Sequence, residues 1–231
     1  NGIHEGLVQS WKDIFPKKGE IHFAGALENN EDTGTLQYLA STAMEVGFST
    51  RVLDMQALDL QNGRFFDPAG ELVNRCFKLY PWEWMVDESP DGCLAEMEWL
   101  EPIWKLVMSN KAILATLYEL FPDSPYVLPC YLSRPRSGLF CKKPVFSREG
   151  HNVSVVDIRD WEEYVRIAET EGDYNTGAYV YQEYVEPTAY SGRYPVIGSW
   201  IIGGEAAGIG IRENRMEVTD NLSEFVPHII G

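Results

Sequence analysis

Residues 21–55 read IHFAGALENNEDTGTLQYLASTAMEVGFSTRVLDM. The opening apolar run, 21–27, has the length of a short buried strand. A polar stretch, 28–32, leads into an amphipathic helix over about 32–46, which Gly47 stops. Residues 49–55 then form a second apolar strand. Strand, helix and strand in this order predict a parallel sheet, with loop residues gathered at the carboxyl edges of its strands.

Upstream, Ile3, Leu7, Trp11 and Ile14 recur at helical spacing and stop before Pro16. Downstream, residues 65–70 (FFDPAG) read as a turn between two short strands, the second spanning 72–79. An aromatic cluster of Tyr80, Trp82 and Trp84 precedes an acidic loop. Two helices are expected over 94–108 and 111–120, the latter closed by Pro122 and Pro125. From Leu139 the chain turns to strands with glycine-rich turns, over 140–145, 151–156, 179–184, 196–202 and 207–211. One further helix is expected over 160–169. The fold class is therefore α/β, with a more antiparallel C-terminal half and no internal repeat.

With 231 residues, 45% of them hydrophobic and seven Trp, the chain can build a sizeable core. Its formal charge of −16, from 35 acidic and 19 basic residues, repels nucleic-acid phosphates and anionic membranes. Such acidity serves solubility or attracts a cationic substrate; charge alone leaves both open. Cys76, Cys93, Cys130 and Cys141 show no zinc spacing and, without a signal peptide, read as reduced thiols of a cytoplasmic protein. Four scattered His form no metal motif. No apolar run reaches the length of a membrane span.

Two stretches could carry chemistry. In KKPVFSREGHNV (142–153) a Lys ends a strand, and Gly150 allows backbone N–H groups of the next turn to approach anionic oxygens. The alternative is an ordinary charged hairpin. In YVYQEYVEP (179–187) a buried strand runs into a polar extended segment, which suits a nucleotide hinge or simply a strand with a solvated face. No Walker A loop exists in the chain.

Taken together, these stretches resemble the synthetase domain of the glutathionylspermidine synthase family, an ATP-grasp fold. The resemblance runs in order through Gly47-Phe48, Thr50-Arg51-Val52-Leu53, Gly70-Glu71-Leu72-Val73-Asn74, Lys78, Trp82-Glu83, Glu101-Pro102-Ile103-Trp104, Asn110-Lys111-Ala112-Ile113-Leu114, Leu120-Phe121-Pro122, Lys143-Pro144, Gln182-Glu183 and Gly203-Gly204. It implies a pre-ATP-grasp-like α/β substrate domain over 1–109, then an ATP-grasp nucleotide-binding part over 110–231 comprising a lid and a strand-rich half.

The resemblance further implies that Lys111 and Lys143 contact ATP. It places Glu149 and Gly150 in a phosphate-covering loop, with Arg148 beside them as the catalytic charge for an acyl-phosphate intermediate. Gln182, Glu183, Tyr184 and Val185 fall on the adenine hinge. Glu31 and Asp32 fall near the amine or peptide substrate, although Asp32 also suits a helix N-cap. Trp84 stands where the family has a Thr at its glutathione site. Other departures are Ser-Arg-Glu-Gly for Gly-Arg-Cys-Gly in the loop, and Val196 for a nucleotide-contacting Gln.

The implied reaction joins a small-molecule or peptide carboxylate (glutathione-like) to an amine (polyamine-like), using ATP and Mg²⁺. No metal ligand is assigned within the chain. The family's Arg-x-Asp and Glu-x-Asn metal strands are expected N-terminal to Asn1, so the chain is expected to be a segment of a longer ligase. The alternative is a non-catalytic nucleotide- or peptide-binding module that keeps the fold.

Overall fold

Helix α1 (Ile3–Ile14) buries Trp11 against the strand–helix–strand unit that follows it, β1 (Glu20–Gly25), α2 (Asn30–Glu45) and β2 (Ser49–Asp54). The Trp11 indole meets the Phe23 ring edge-on at 5.6 Å and donates through Nε1 to Thr42 Oγ1 at 2.9 Å. This pairs its one polar atom inside an apolar cluster of Phe15, Ile21, Phe23, Leu36, Leu39 and Phe48. Each fully buried member, such as Ile21 or Phe23, contributes about 1.5–3 kcal/mol of transfer free energy. The computed structural model describes residues 1–160, 163–174, 177–218 and 223–229.

Next come β3 (Asp59–Gln61), β4 (Arg64–Phe66), β5 (Leu72–Val73), β6 (Arg75–Leu79), α3 (Trp82–Glu88), β7 (Glu98–Leu100) and the short α4 (Leu106–Ser109). Strands β2-β1-β6-β7 form a parallel sheet, with Ile21 opposite Thr50 and His22 opposite Cys76. Strands β3-β4-β5 form a small antiparallel sheet. The strand expected over 72–79 is thus two strands in different sheets, parted at Asn74.

The helix expected over 94–108 forms only at its end, as a single 3-10 turn at Ile103–Lys105 running into α4; its middle is strand β7. Glu98 N donates to Asn74 O, and β7 extends the parallel sheet beside β6. There the Trp99 ring packs edge-on against Phe65 and Trp82. Pro102, with no amide hydrogen, resists helix through this region. Sheet pairing outweighed the helical spacing of Leu94, Met97 and Leu100.

The remainder comprises α5 (Ala112–Leu120), β8 (Cys130–Tyr131), β9 (Gly138–Pro144), β10 (Ser154–Ile158), β11 (Tyr164–Glu169), β12 (Tyr179–Glu183), β13 (Tyr194–Ile202), β14 (Glu205–Asn214) and β15 (Glu224–Val226). Strands β11-β10-β9-β12-β8 make an antiparallel sheet, and β13-β14-β15 a second sheet. Of the segment expected as a helix over 160–169, Tyr164–Glu169 form strand β11; residues 161 and 162 lie outside the described residues. Asp160 Oδ1 accepts from Glu163 N at 2.8 Å, and β11 then pairs with β10. Tyr164, Val165 and Ile167 suit that pleated position better than a helix.

The chain divides into two compact units, one of Asn1–Leu106 with Ser199–Gly208, the other of Val107–Gly198 with Ile209–Gly231. The overall class is mixed α/β, as expected. Among the described residues no helix is long and apolar enough to cross a membrane.

Candidate active site

In the second unit, β9 presents two consecutive lysines to opposite faces of its sheet. The Lys142 ammonium lies 4.0 Å from the centre of the Tyr179 ring. Lys143 faces the side covered by α5, where Ala115, Cys130 and Val180 pack together. Val180 is its direct neighbour on β12, and Gln182 lies diagonally across the pair. The Lys143 ammonium donates to Gln182 Oε1 at 2.6 Å. Burial pushes the Cys130 and Cys141 thiols up, so both remain neutral beside it. The described partner of Lys143 is an uncharged amide, which leaves its positive charge uncancelled. That donor chemistry fits a phosphate oxygen.

Lys111 precedes α5. Its backbone N donates to Val145 O at 2.8 Å, and its ammonium donates to Ser147 O and, at 2.9 Å, to Ser147 Oγ. Ser147 begins the loop that carries Arg148, Glu149 and Gly150. His151 N closes a turn onto Arg148 O at 2.8 Å, with Glu149 at φ 52° and Gly150 at φ 72°. Two left-handed residues in succession are the geometry of a type I′ turn, which Gly150 takes without strain. Asn152 fixes the far side of the loop, donating to Gly172 O and accepting from Tyr174 N at 2.8 Å.

At the end of β12, Glu183 N donates to Pro129 O at 2.8 Å and Tyr184 N to Leu139 O at 3.0 Å. Tyr184 donates its hydroxyl to Glu217 Oε2 at 2.7 Å. Burial, reinforced by that carboxylate, pushes its pKa up to about 12. Val185 follows, 58% exposed. The structure therefore ties Lys143 to Gln182 and puts Lys111 at the base of the Arg148–Gly150 turn; of residues 182–185, Gln182 and Glu183 end β12 and Tyr184 and Val185 follow it.

Glu31, Asp32 and Trp84 belong to the first unit, at the carboxyl edge of its parallel sheet. Asn29, not Asp32, caps α2, its side chain accepting from Glu31 N at 2.9 Å. This corrects the capping alternative for Asp32 and leaves both carboxylates in the first helical turn, where the helix dipole favours them. Trp84 stands on α3, edge-on to Tyr80 at 5.5 Å and 38% exposed.

Lys78, which the resemblance includes, and Tyr80, of the aromatic cluster, were given no role from sequence, yet both are tied into this edge. Lys78, only 5% exposed, donates to Tyr80 O at 2.6 Å and lies 3.8 Å from the centre of the Trp82 ring. Tyr80 donates to Glu88 Oε2 at 2.6 Å, and burial with that carboxylate pushes its pKa up to about 12. A charged residue inside the apolar run Cys76-Phe77-Lys78-Leu79 was the available signal. Among the described residues, no group of three or more His, Cys, Asp or Glu is placed to hold a metal ion.

The sequence profile described as glutathionylspermidine synthase preATP-grasp matches residues 1–231. A protein of Haemophilus influenzae carrying the name acid–amine ligase is 34% identical over 240 residues, covering 99% of this chain and 61% of that protein. Trypanothione synthetase of Crithidia fasciculata is 28% identical over 236 residues, covering 90% of this chain and 35% of that enzyme. The bifunctional glutathionylspermidine synthetase/amidase of Escherichia coli is 26% identical over 266 residues, covering all of this chain and 42% of that enzyme. The chain thus spans less than two thirds of each of these relatives. A crystal structure from Methylobacillus flagellatus named for γ-glutamylcysteine synthetase superposes with a TM-score of 0.63 at 9% identity, over 97% of this chain and 72% of that one. That likeness concerns the fold alone.

Proposed function

The chain belongs to the glutathionylspermidine synthase preATP-grasp family, and from that premise we propose that it serves an ATP-dependent carboxylate–amine ligase. The observation that carries this reading is Lys143, fixed on a rigid strand against the neutral amide of Gln182, with the Ser147–Gly150 loop pinned nearby in sequence by Lys111.

In this reading Lys143 and Lys111 exchange their present acceptors for phosphate oxygens of ATP. Backbone groups at 182–185 receive the adenine. The Arg148 guanidinium offsets charge as the substrate carboxylate takes the terminal phosphoryl group and ADP leaves. The amine then attacks the acyl carbon, phosphate departs, one proton is released and an amide bond remains. The protein's contribution is placement and charge rather than a covalent nucleophile.

The substrates we assign are a small-molecule or peptide carboxylate of glutathione type and an amine of polyamine type. Glu31 and Asp32 supply negative charge for a cationic amine, and the exposed Trp84 ring supplies an apolar or cation-binding face. The activity belongs to the whole protein, of which relatives contain considerably more than the length spanned here.

Hydroxylamine trapping tests this reading. The full-length protein, given ATP, a glutathione-type peptide and hydroxylamine, should release ADP and accumulate the hydroxamate of the peptide carboxylate. Nucleotide turnover without hydroxamate, or hydroxamate formed without ATP, would contradict it.

A further inference from the structure

We propose that a cavity at the amino edge of the parallel sheet in the first unit binds a small zwitterion, an amino acid or short peptide carrying both an ammonium and a carboxylate. The cavity has a volume of about 750 Å³ and opens where β1, β6 and β7 begin. That volume suits a small molecule. It lies at the sheet edge opposite the one bearing Glu31, Asp32 and Trp84, so the ligase reading leaves it unused.

Its fixed charges set the class of guest. Lys18, Arg64 and Arg75 line it with three positive charges, and Glu20, Glu96 and Glu98 with three negative ones. In a chain of net charge −16 this lining is locally balanced. A zwitterion keeps this lining balanced, whereas a singly charged guest is repelled by three like charges while it is drawn to three opposite ones. In the pairs Arg64–Glu96 at 2.8 Å and Arg75–Glu98 at 2.7 Å the guanidinium already donates to the carboxylate, and a guest carboxylate and ammonium would exchange with the two members of a pair. A carboxylate and an ammonium can therefore both be met.

His22 supplies the independent sign of a guest. It lines the cavity and is 1% exposed, and neither ring nitrogen has a hydrogen-bond partner. Nε2 stands 3.8 Å from both Glu20 Oε2 and Asp67 Oδ2, too far for a bond to either. A buried imidazole left this way is costly unless something entering the cavity supplies the missing partner.

The test is a titration of the full chain with glycylglycine, using glycinamide and N-acetylglycine as singly charged controls. Binding is followed by calorimetry and by the ring ¹⁵N resonances of His22. The proposal expects glycylglycine to bind at least about tenfold more tightly than either control, and to move the His22 resonances. Arg64→Gln, at a side chain 54% exposed and safe for folding, should weaken it at least about tenfold, the loss of one charge-assisted hydrogen bond. Lys143→Ala should leave it unchanged. No heat at millimolar glycylglycine, equal binding of the controls, unmoved His22 resonances, or loss of binding in Lys143→Ala would each overturn the proposal.

Discussion

The ammonium of Lys143 on β9 donates to Oε1 of Gln182 on β12, 2.6 Å away on the diagonal of one antiparallel strand pair. The bond places the charge before any ligand arrives, and its neutral acceptor leaves that charge available. Replacing Gln182 by Leu removes the acceptor while keeping bulk. We expect Gln182→Leu to cost about 1–2 kcal/mol of stability, because a part-buried ammonium loses its partner. Urea denaturation measures this, and an unchanged midpoint would mean that solvent serves Lys143 equally well.

The turn beside Lys111 carries its own strain. Glu149 adopts φ 52°, a left-handed conformation that costs a residue with a Cβ roughly 1 kcal/mol or more. Glu149→Gly should therefore raise stability by about 0.5–1 kcal/mol, after the greater freedom of glycine in the unfolded chain takes back part of the gain. A thermal scan should show a higher Tm. A lower one would mean that the Glu149 side chain makes a contact worth more than the strain.

Acid should weaken the first unit through His22. Burial holds its pKa below the usual 6.5, against the charges of Glu20 and Asp67 and together with that of Arg51. The unfolded chain thus binds a proton more readily than the folded one. The stability due to neutral His22 is complete above pH 6.5 and is lost as pH falls through the depressed folded value. Asp67 is displaced in a separate window. The N–H of Glu71 is the leading cause holding its carboxyl below 3.8, so its contribution is complete above that pH and lost as pH falls through its own depressed value. Denaturation at pH 7.5 and pH 5 should show a smaller stability loss for His22→Leu than for the wild type; equal losses would remove His22 as the cause.

The strand–helix–strand core was legible because residues 21–55 carry their structure locally. The apolar run, the polar entry to α2 and Gly47 at its end each match the observed element to within two residues. The segments 94–108 and 160–169 were not legible. Their apolar spacing suits either period, and the choice was made by distant partners, Asn74 for β7 and the Val155–Val156 edge of β10 for β11. The site shows the same division. Lys111, Lys143 and Gln182 were nominated by resemblance, but the pairing of Lys111 with Ser147 and the enclosure of His22 among Glu20, Arg51 and Asp67 depend on packing across elements. No spacing rule encodes those contacts.

Whether Lys143 helps to form an ATP site is decided by calorimetric titration of ATP into the wild type and into Lys143→Ala. The wild type should bind measurably and the variant should lose at least about tenfold in affinity, with its fold intact by circular dichroism. Equal affinity in the two proteins, or no binding by the wild type at full length, would contradict it.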